Sequence, residues 1–342
     1  MTAEELRRLG DELGLDVVGA APAAPYTATE RHIEERRGRG LFGSMRFTMA
    51  QPEVSCHPET LLDGARTVVS AALCYYVPGR EPEPGEGRLP RYAWRDHYAD
   101  LRERLHALGR RLGGSYRVLV DANQHVDRAG AERSGVGFIG KNTMLITRTH
   151  GSWVVLGTLV TDVELEPTPT LDAGCGSCTL CIEACPTDAL LADEPGVLDA
   201  TRCLSYWTQS AGEMPDDVME ALDDRVYGCD ICQDVCPWNR GVEKRRAGDP
   251  LPEDAQPVVS LADWLERDGS DLVAELDRLY VPRNDARWLR RNALVALGNA
   301  GREGSDGLAV AFEADPEPAL RTAARRALAS IAAPSAQEKG RR

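Results

Sequence analysis

The stretch CGSCTLCIEACP, from Cys175 to Pro186, decides the fold of this chain. Its first three cysteines are each three positions apart, a fourth follows four positions later, and a proline comes next. This is the spacing of bacterial ferredoxins, in which three thiolates bind one 4Fe–4S cubane and the fourth reaches the neighbouring cubane. The short gaps let successive thiolates curl around one cubane, and the proline turns the chain away from it. The stretch therefore predicts a ferredoxin-like domain.

A second run, CDICQDVCP from Cys229 to Pro237, contains three cysteines and lacks the fourth of the ferredoxin pattern. Cys203 lies between the two runs and is the natural substitute. Because the fourth thiolate of each run crosses to the other cubane, the two clusters are expected to be neighbours. We predict two 4Fe–4S clusters, the first bound by Cys175, Cys178, Cys181 and Cys236 and the second by Cys185, Cys203, Cys229 and Cys232.

A disulfide framework and structural zinc are the two alternatives to clusters for these cysteines. Disulfides are typical of short secreted chains, whereas this chain opens with MTAEELRRLG, which contains no apolar signal core. Zinc fits paired CxxC motifs, but the triple spacing followed by Cys-Pro is more specific for clusters. The two cysteines outside the runs, Cys56 and Cys74, have no partner motif, and we interpret them as structural residues.

Length and charge restrict the class of protein. The 342 residues are enough for two or three domains with separate cores. No apolar stretch of the sequence approaches the length of a membrane span, which predicts a cytoplasmic protein without a membrane partner. The formal charge of −14 argues against a broadly basic surface that coats nucleic acid, but it is compatible with a local basic patch.

The pattern of elements predicts three regions. Helical and strand patterns alternate up to about residue 165, with Thr2 and Glu5 as a capping box and Asp121 directly after a strand. The segments TMLIT and WVVLGTLVT predict a pair of strands joined around Gly151. Proline-rich joints follow on both sides of the cysteine region. We predict a mixed α/β domain over 1–165, a ferredoxin-like domain over 166–245 and a small all-α region over 246–342.

The last region ends in two helical patterns with small and leucine faces, around Leu289–Leu297 and Leu320–Ile331. Such a pair is typical of one HEAT-like repeat, although a plain helical cap fits equally. The same helices carry arginines that could form a basic face or could pair with nearby Glu313, Asp315 and Glu317. These arginines are Arg287, Arg290, Arg291, Arg321, Arg325 and Arg326.

Asp121 and the glycine-rich segment after it are the most unusual part of the α/β region. A side chain at a strand end can reach into a crevice. Gly135, Gly137 and Gly140 could let the backbone pass close to a bulky ligand, with donors from Lys141 and Asn142. An ordinary strand, helix and glycine turn accounts for the same pattern equally well, because a lone glycine series is weak evidence.

From about residue 66 to 299 the sequence resembles the epoxyqueuosine reductase family. The resemblance rests on six segments that occur here in the family's order. They are AERSGVGFIGKNTMLI, GSWVVLGTLVTDVELEP, CGSCTLCIEACPTDAL, RCLSYWTQ, RVYGCDICQDVCPWN and LRRNALVALGN. The resemblance implies a nitroreductase-like α/β module that binds cobalamin, followed by a ferredoxin domain and HEAT-like helices. It also implies an oxidoreductase that removes the epoxide oxygen from epoxyqueuosine at the wobble position of tRNA.

The resemblance further implies roles for individual residues. The family's proposed proton donor falls on Asp121, and an acid is needed because the departing epoxide oxygen must be protonated. The implied partners are the tRNA anticodon stem-loop and an external one-electron donor such as flavodoxin or ferredoxin. The implied cobalamin contacts are Tyr92, Lys141, Asn142, Thr143, Ser205 and Gln209.

Two other functions stay open at the level of the sequence. One is a related cobalamin and iron–sulfur reductase that acts on a small molecule, for example by reductive dehalogenation. The other is a non-catalytic electron-transfer protein whose α/β domain only docks a partner. Bound corrin would distinguish either enzyme from the electron carrier, and modified tRNA would distinguish the two enzymes.

Overall fold

The computed structural model describes residues 1–301 and 306–332. The eight strands of this described part are short, apart from two strands of eight residues at the centre of the main sheet. The strands are β1 (Val17–Pro22), β2 (Thr67–Cys74), β3 (Glu86–Arg88), β4 (Tyr116–Val120), β5 (Phe138–Ile139), β6 (Leu145–Ile146), β7 (Val154–Thr161) and β8 (Val258–Ser260).

Fifteen α-helices occur in the same described residues, and the first begins at the predicted capping box of Thr2 and Glu5. The helices are α1 (Ala3–Glu12), α2 (Thr27–Gly38), α3 (Pro52–Ser55), α4 (His97–Leu112), α5 (Asp127–Arg133), α6 (Leu180–Glu183), α7 (Leu204–Thr208), α8 (Asp216–Ala221), α9 (Ile231–Asp234), α10 (Arg240–Arg245), α11 (Leu261–Glu266), α12 (Gly269–Glu275), α13 (Arg287–Ala300), α14 (Asp306–Val310) and α15 (Pro318–Ala332).

The chain forms two compact units that interleave along the sequence. The first contains Met1–Pro78, Asp96–Ala200 and Ile231–Pro250, and the second contains Gly79–Arg95, Thr201–Asp230 and Leu251–Arg342. The predicted domain boundaries near residues 165 and 245 rest on sequence motifs, whereas the two units are defined by their compactness. The predicted boundaries stay predictions. Residues 333–342 of the predicted helical region lie outside the described residues.

The first unit is built on an antiparallel sheet with the strand order β1-β2-β7-β4. Strands β2 and β7 pair along their whole length, from Thr67 opposite Thr161 to Cys74 opposite Val154. Every residue of β7 is buried, as expected for a run rich in β-branched and leucine side chains. The mixed α/β prediction is confirmed for this region, and the sheet is antiparallel throughout.

Helices cover both faces of this sheet. Neighbouring residues of a strand point to opposite faces, so Gly157 and Thr158 mark the two sides of β7. A Cβ added at Gly157 would meet Leu101 and Leu105, which places α4 on that side. On the other side lies Ser70, which pairs with Thr158. The Oγ atom of Ser70 is 3.2 Å from the Oγ atom of Ser134 at the end of α5. The Thr158 side therefore faces α5 and the segment that precedes it.

The predicted pairing of TMLIT with WVVLGTLVT is wrong. Strand β6 pairs with β5, and β7 pairs with β2 and β4. The two segments share one isolated bridge, between Thr147 and Gly151. The physical reason is that the turn at residues 140–143 gives β6 a partner close in sequence, whereas the fully buried β7 requires strands on both of its edges.

The second unit contains a small β3-β8 sheet and the C-terminal helices. The predicted helical patterns are confirmed as α13 and α15, which pack closely. A Cβ at Gly298 would lie 2.7 Å from the Cα of Ala327, so the missing side chain permits this close approach. The HEAT-like nature of the pair stays a prediction. In the described part of the chain, no helix combines the length and the apolar character needed to cross a membrane.

Candidate functional site: an iron–sulfur segment and an acidic strand end

A tight turn at residues 140–143 joins β5 to β6 in the first unit. The amide of Thr143 donates to the carbonyl oxygen of Gly140 at 2.9 Å. Thr143 has a φ of 63°, in the left-handed region. A β-branched residue adopts this conformation only where the surrounding structure holds it there. The turn is therefore a fixed feature of the unit.

Side chains of this turn bind the cysteine segments of the same unit. The Lys141 ammonium group donates to the carbonyl oxygens of Gly176 at 2.8 Å and Cys178 at 2.9 Å. Asn142 Nδ2 lies 3.4 Å from the carbonyl oxygen of Cys232. Lys141 and Asn142 thus attach the turn to both cysteine runs. Their role as cobalamin contacts stays a prediction.

Four of the predicted ligands converge within the first unit. Burial raises the pKa of the Cys181 thiol, and the nearby Cys175 and Cys236 thiols raise it further. Burial also raises the pKa of Cys236, and Cys175 and Cys178 act on it in the same direction. The four thiols of the predicted first cluster therefore lie within electrostatic reach of one another.

The remaining predicted ligands divide between the two units. Cys185 and Cys232 pack in the first unit around the buried Cys181 and Leu190. The Ala189 amide lies 3.3 Å from Cys185 Sγ, and the Lys141 amide lies 3.4 Å from Cys175 Sγ. Amide donors of this kind stabilise thiolate and cluster sulfur and tune reduction potentials. Cys203 and Cys229 belong to the second unit.

The described side chains form no ready-made site for a single metal ion. In residues 1–301 and 306–332, no three His, Cys, Asp or Glu side chains converge closely enough to hold one ion. Zinc draws its ligands to within about 2.0–2.3 Å of one centre. A cubane instead binds each thiolate at a different iron atom, which requires a wider set. The assignment of Cys175, Cys178, Cys181 and Cys236 to one cubane stays a prediction.

The glycines after Asp121 are required by packing of the chain on itself. A Cβ at Gly135 would lie 2.2 Å from the carbonyl oxygen of Pro169. The same addition at Gly137 would meet the carbonyl oxygen of Ile146 at 2.5 Å, and at Gly140 it would meet the Ile146 side chain at 2.5 Å. The ordinary turn therefore accounts for these glycines, and their interpretation as room for a bulky ligand stays a prediction.

Asp121 lies directly after Val120, the last residue of β4, as predicted. Its φ is 50°, a left-handed conformation that aspartate adopts more readily than most residues. The residue is exposed, yet the protein atoms around its carboxyl group partly desolvate it and raise its pKa. The negative charge of Asp127 raises this pKa further, and Arg102 opposes the rise. Asp121 is thus accessible to a ligand in surroundings that favour its protonated form.

Three predicted cobalamin contacts lie in the second unit, where two of them are bonded to each other. Gln209 Nε2 donates to Ser205 Oγ at 3.0 Å, and the Tyr227 hydroxyl donates to Gln209 Oε1 at 3.2 Å. Tyr92, the third, lies in a 3₁₀ turn at Arg91–Ala93. Uncharged hydrogen-bonding groups of this type suit the amide groups that fringe a corrin ring. Sequence reasoning missed Tyr227, which carries no local pattern that marks it as the partner of Gln209.

The predicted basic face is corrected by the structure. Arg291 is 1% exposed, and Arg290 donates to the carbonyl oxygen of Arg267 at 2.6 Å. Arg287 is exposed but forms an ion pair of 3.1 Å with Glu317. Among the six arginines considered, Arg287 and Arg325 are the exposed ones. Arg291 therefore cannot contact a nucleic acid, because α13 is buried on nearly all sides at that level.

Two protein-family models match this chain. Residues 174–239 match the 4Fe-4S double cluster binding domain. Residues 56–127 match the family described as Epoxyqueuosine reductase QueG, DUF1730. The first match spans every predicted ligand cysteine, and the second ends shortly after Asp121.

Curated relatives cover most of the chain. The epoxyqueuosine reductase of Lactococcus garvieae is 34% identical over 307 residues, which are 87% of this chain and 86% of that protein. The epoxyqueuosine reductase of a Synechococcus species is 38% identical over 274 residues, which are 77% of this chain and 81% of that protein.

Solved structures agree with these matches. An epoxyqueuosine reductase crystallised with an epoxyqueuosine-modified tRNA-Tyr stem loop has a TM-score of 0.85 and 30% identity, covering 98% of this chain and 92% of that one. The Bacillus subtilis enzyme has a TM-score of 0.84 and 30% identity over the same shares of the two chains. That structure shows its catalytic aspartate loop swung out of the active site.

Proposed function

Because the chain belongs to the epoxyqueuosine reductase family, we propose that it reduces epoxyqueuosine to queuosine at the wobble position of tRNA. The observation that carries this proposal is Asp121, an accessible acid at a strand end in a first unit that also gathers four cysteines. Removing an epoxide oxygen as water requires two electrons and two protons. The cysteine region supplies a route for the electrons, Asp121 supplies one proton, and solvent water supplies the second.

The electron route consists of two 4Fe–4S clusters. Cys175, Cys178, Cys181 and Cys236 hold the first cluster, supported by their convergence in the first unit. The second set is Cys185, Cys203, Cys229 and Cys232, which completes the ferredoxin pattern. An external one-electron donor such as flavodoxin or ferredoxin loads the clusters one electron at a time.

The proposed redox cofactor is cobalamin, which when bound would supply the chemistry that breaks the carbon–oxygen bonds. The chain contributes hydrogen-bonding groups that orient the cofactor and the substrate. The proposed contacts are Tyr92, Lys141, Asn142, Thr143, Ser205 and Gln209.

Asp121 holds a proton for the departing oxygen. An oxygen that leaves carbon as an anion is a strong base, so a nearby acid lowers the barrier to its departure. Proton transfer from a positioned acid contributes roughly 10²–10⁴-fold in rate. Desolvation and the charge of Asp127 raise the pKa of Asp121, which increases its protonated fraction near neutral pH. Residues 121–124, the segment that carries Asp121, are largely exposed.

The substrate is the anticodon stem-loop of tRNA, as in the relative crystallised with a modified stem loop. With a net charge of −14, the protein cannot attract RNA through its overall field. Binding therefore depends on local basic groups and on recognition of the exposed wobble base.

The test is single turnover by the anaerobic holoprotein of a tRNA stem-loop that carries epoxyqueuosine. Asp121→Asn keeps the left-handed backbone, since asparagine tolerates it, and removes only the acid. We expect normal iron and cobalamin content with a rate lower by roughly 10²-fold or more. Asp121→Ala also removes the acid and adds backbone strain, so its rate should be no higher than that of Asp121→Asn. Near-normal turnover by Asp121→Asn would assign the proton to another group.

Two matched variants test the acid through its pH dependence. Since the charge of Asp127 raises the pKa of Asp121, Asp127→Asn should move the alkaline limb of the pH profile to lower pH. Since Arg102 lowers that pKa, Arg102→Gln should move the limb to higher pH. Shifts in the same direction, or none, would contradict the role of Asp121 as the titrating acid.

A further inference from the structure

The Asp121 loop begins and ends at the same residue of the central sheet. At its start, Leu119 of β4 pairs with Thr158 of β7, two residues before Asp121. At its end, the Thr158 hydroxyl lies 3.2 Å from Nδ1 of His125. A loop whose two ends are fixed at one point of a rigid sheet has few ways to move as a whole.

The His125 side chain is held on both ring nitrogens. Its Nε2 lies 3.2 Å from the hydroxyl of Tyr26, and the residue is 2% exposed. Both partners are hydroxyl groups, which can donate or accept, so either neutral tautomer is fully satisfied. The imidazole is thus a bridge between β7 and the start of α2, where Tyr26 is the residue before the helix.

Close packing leaves this imidazole no room to move. A Cβ added at Gly130 of α5 would lie 2.6 Å from His125 Cε1. The Tyr26 ring makes an edge contact with the imidazole, with ring centroids 5.5 Å apart, and the Arg133 guanidinium lies over the Tyr26 ring, 3.9 Å from its centroid. The next amide, that of Val126, donates to the carbonyl oxygen of the buried Ser55 at 3.1 Å.

Burial changes sharply along the loop. Asp121, Asn123 and Gln124 are exposed, whereas His125 and Val126 are buried. The boundary between the exposed and the buried part of the loop therefore falls between Gln124 and His125. The sequence does not predict that His125 lies at this boundary, because it shows only a polar residue followed by an apolar one.

We propose that His125 is a positioning residue that anchors the exit of the Asp121 loop, so that its bonds to Thr158 and Tyr26 hold Asp121 in place for proton transfer. This inference rests on the proposed function of Asp121. It predicts that loosening either bond releases residues 121–124 while the sheet stays intact.

The test uses three conservative variants of the full holoprotein and hydrogen–deuterium exchange. Tyr26→Phe and Thr158→Val each remove one hydroxyl partner of His125 and keep the packing volume. Thr161→Val is the control, because Thr161 lies on the same strand, is equally buried and loses a bond of 2.9 Å to the Ser115 carbonyl. We expect amide exchange over residues 121–126 to rise roughly three- to tenfold in the first two variants and to stay unchanged in the control.

Single turnover supplies the second readout. In the double variant Tyr26→Phe/Thr158→Val, we expect a lower rate of epoxyqueuosine reduction with unchanged affinity for the stem-loop, since the loop is less often in place. Unchanged loop exchange in both single variants, or equal loosening by Thr161→Val, would overturn the anchor. Raised loop exchange together with full activity of Asp121→Asn would instead contradict the proposed function of Asp121 and leave the anchor standing.

Discussion

Arg291 donates a hydrogen bond of 2.6 Å to the carbonyl oxygen of Trp207. Trp207 lies in the last turn of α7, where helix carbonyls have no donors within the helix. Arg291 also binds the carbonyl oxygens of Ser210 and Gly212, and Asn292 binds that of Thr208. Burial lowers the pKa of Arg291 to about 9, so the group is still charged at neutral pH. The Arg291–Asn292 pair thus caps the helix that carries Ser205.

Arg291→Met should destabilise the second unit strongly. The change removes a charged donor from the carbonyl oxygens of Trp207, Ser210 and Gly212, of which the first keeps a bond of 3.3 Å from the Ser210 amide. A buried acceptor left unsatisfied costs about 1–3 kcal/mol. We expect a loss of about 3 kcal/mol or more in the free energy of unfolding, measured by denaturant titration under anaerobic conditions. Arg325→Met, the same change at an exposed site of α15, should stay within about 0.5 kcal/mol of the parent. Equal stability of the two variants would show that the cap is dispensable.

Arg325 tests whether the C-terminal helices contact tRNA. Arg325→Glu should weaken binding of the modified stem-loop and lower the slope of log affinity against log salt by roughly one, if one phosphate contact is lost. Arg7→Glu makes the same change in net charge on the exposed side of α1 and serves as the control. Unchanged binding by Arg325→Glu across a salt series would exclude this face, and equal weakening by Arg7→Glu would point to net charge alone.

Local sequence signals predicted the parts of this fold whose partners are close in the chain. The capping box at Thr2 and Glu5 needs contacts only three residues apart, and the strand before Asp121 is marked by its own composition. The partner of β6 was not predictable in this way, because two candidate strands compete and the choice depends on the whole sheet. The burial of Arg291 could not be predicted from the sequence either, because a helix buried on nearly all sides lacks the polar face that marks an amphipathic helix.

Iron content tests the assignment of the cysteines. The anaerobic holoprotein should hold about eight irons per chain, as two cubanes require. Cys236→Ser should lose the iron of the first cluster, while Cys56→Ser, an equally buried cysteine outside the runs, should keep all of it. Iron analysis together with the visible absorption spectrum measures both outcomes. Zinc in place of iron after anaerobic purification would contradict the assignment.

His125 should stay neutral well below the pH at which an ordinary histidine becomes charged. Burial lowers its pKa to about 4, and the positive charge of Arg133 on α5 acts in the same direction. Tyr26, the hydroxyl partner of His125, stays protonated because burial raises its pKa. The chain contains six histidines, a number small enough for side-chain NMR to follow the titration of each one. The signal that disappears in His125→Gln identifies the residue.

The lowered pKa of His125 has a consequence for stability with a definite sign. Between pH 6.5 and pH 4 the unfolded chain binds a proton that the folded chain does not, so stability falls as the pH drops through this window. The loss reaches up to about 3 kcal/mol at the lower end, because a difference of one in pKa corresponds to about 1.4 kcal/mol. His125→Gln lacks this loss, so the difference in stability between parent and variant should narrow from pH 7 to pH 5. Global amide protection at the two pH values measures it, and a difference that is constant with pH would show that His125 titrates normally.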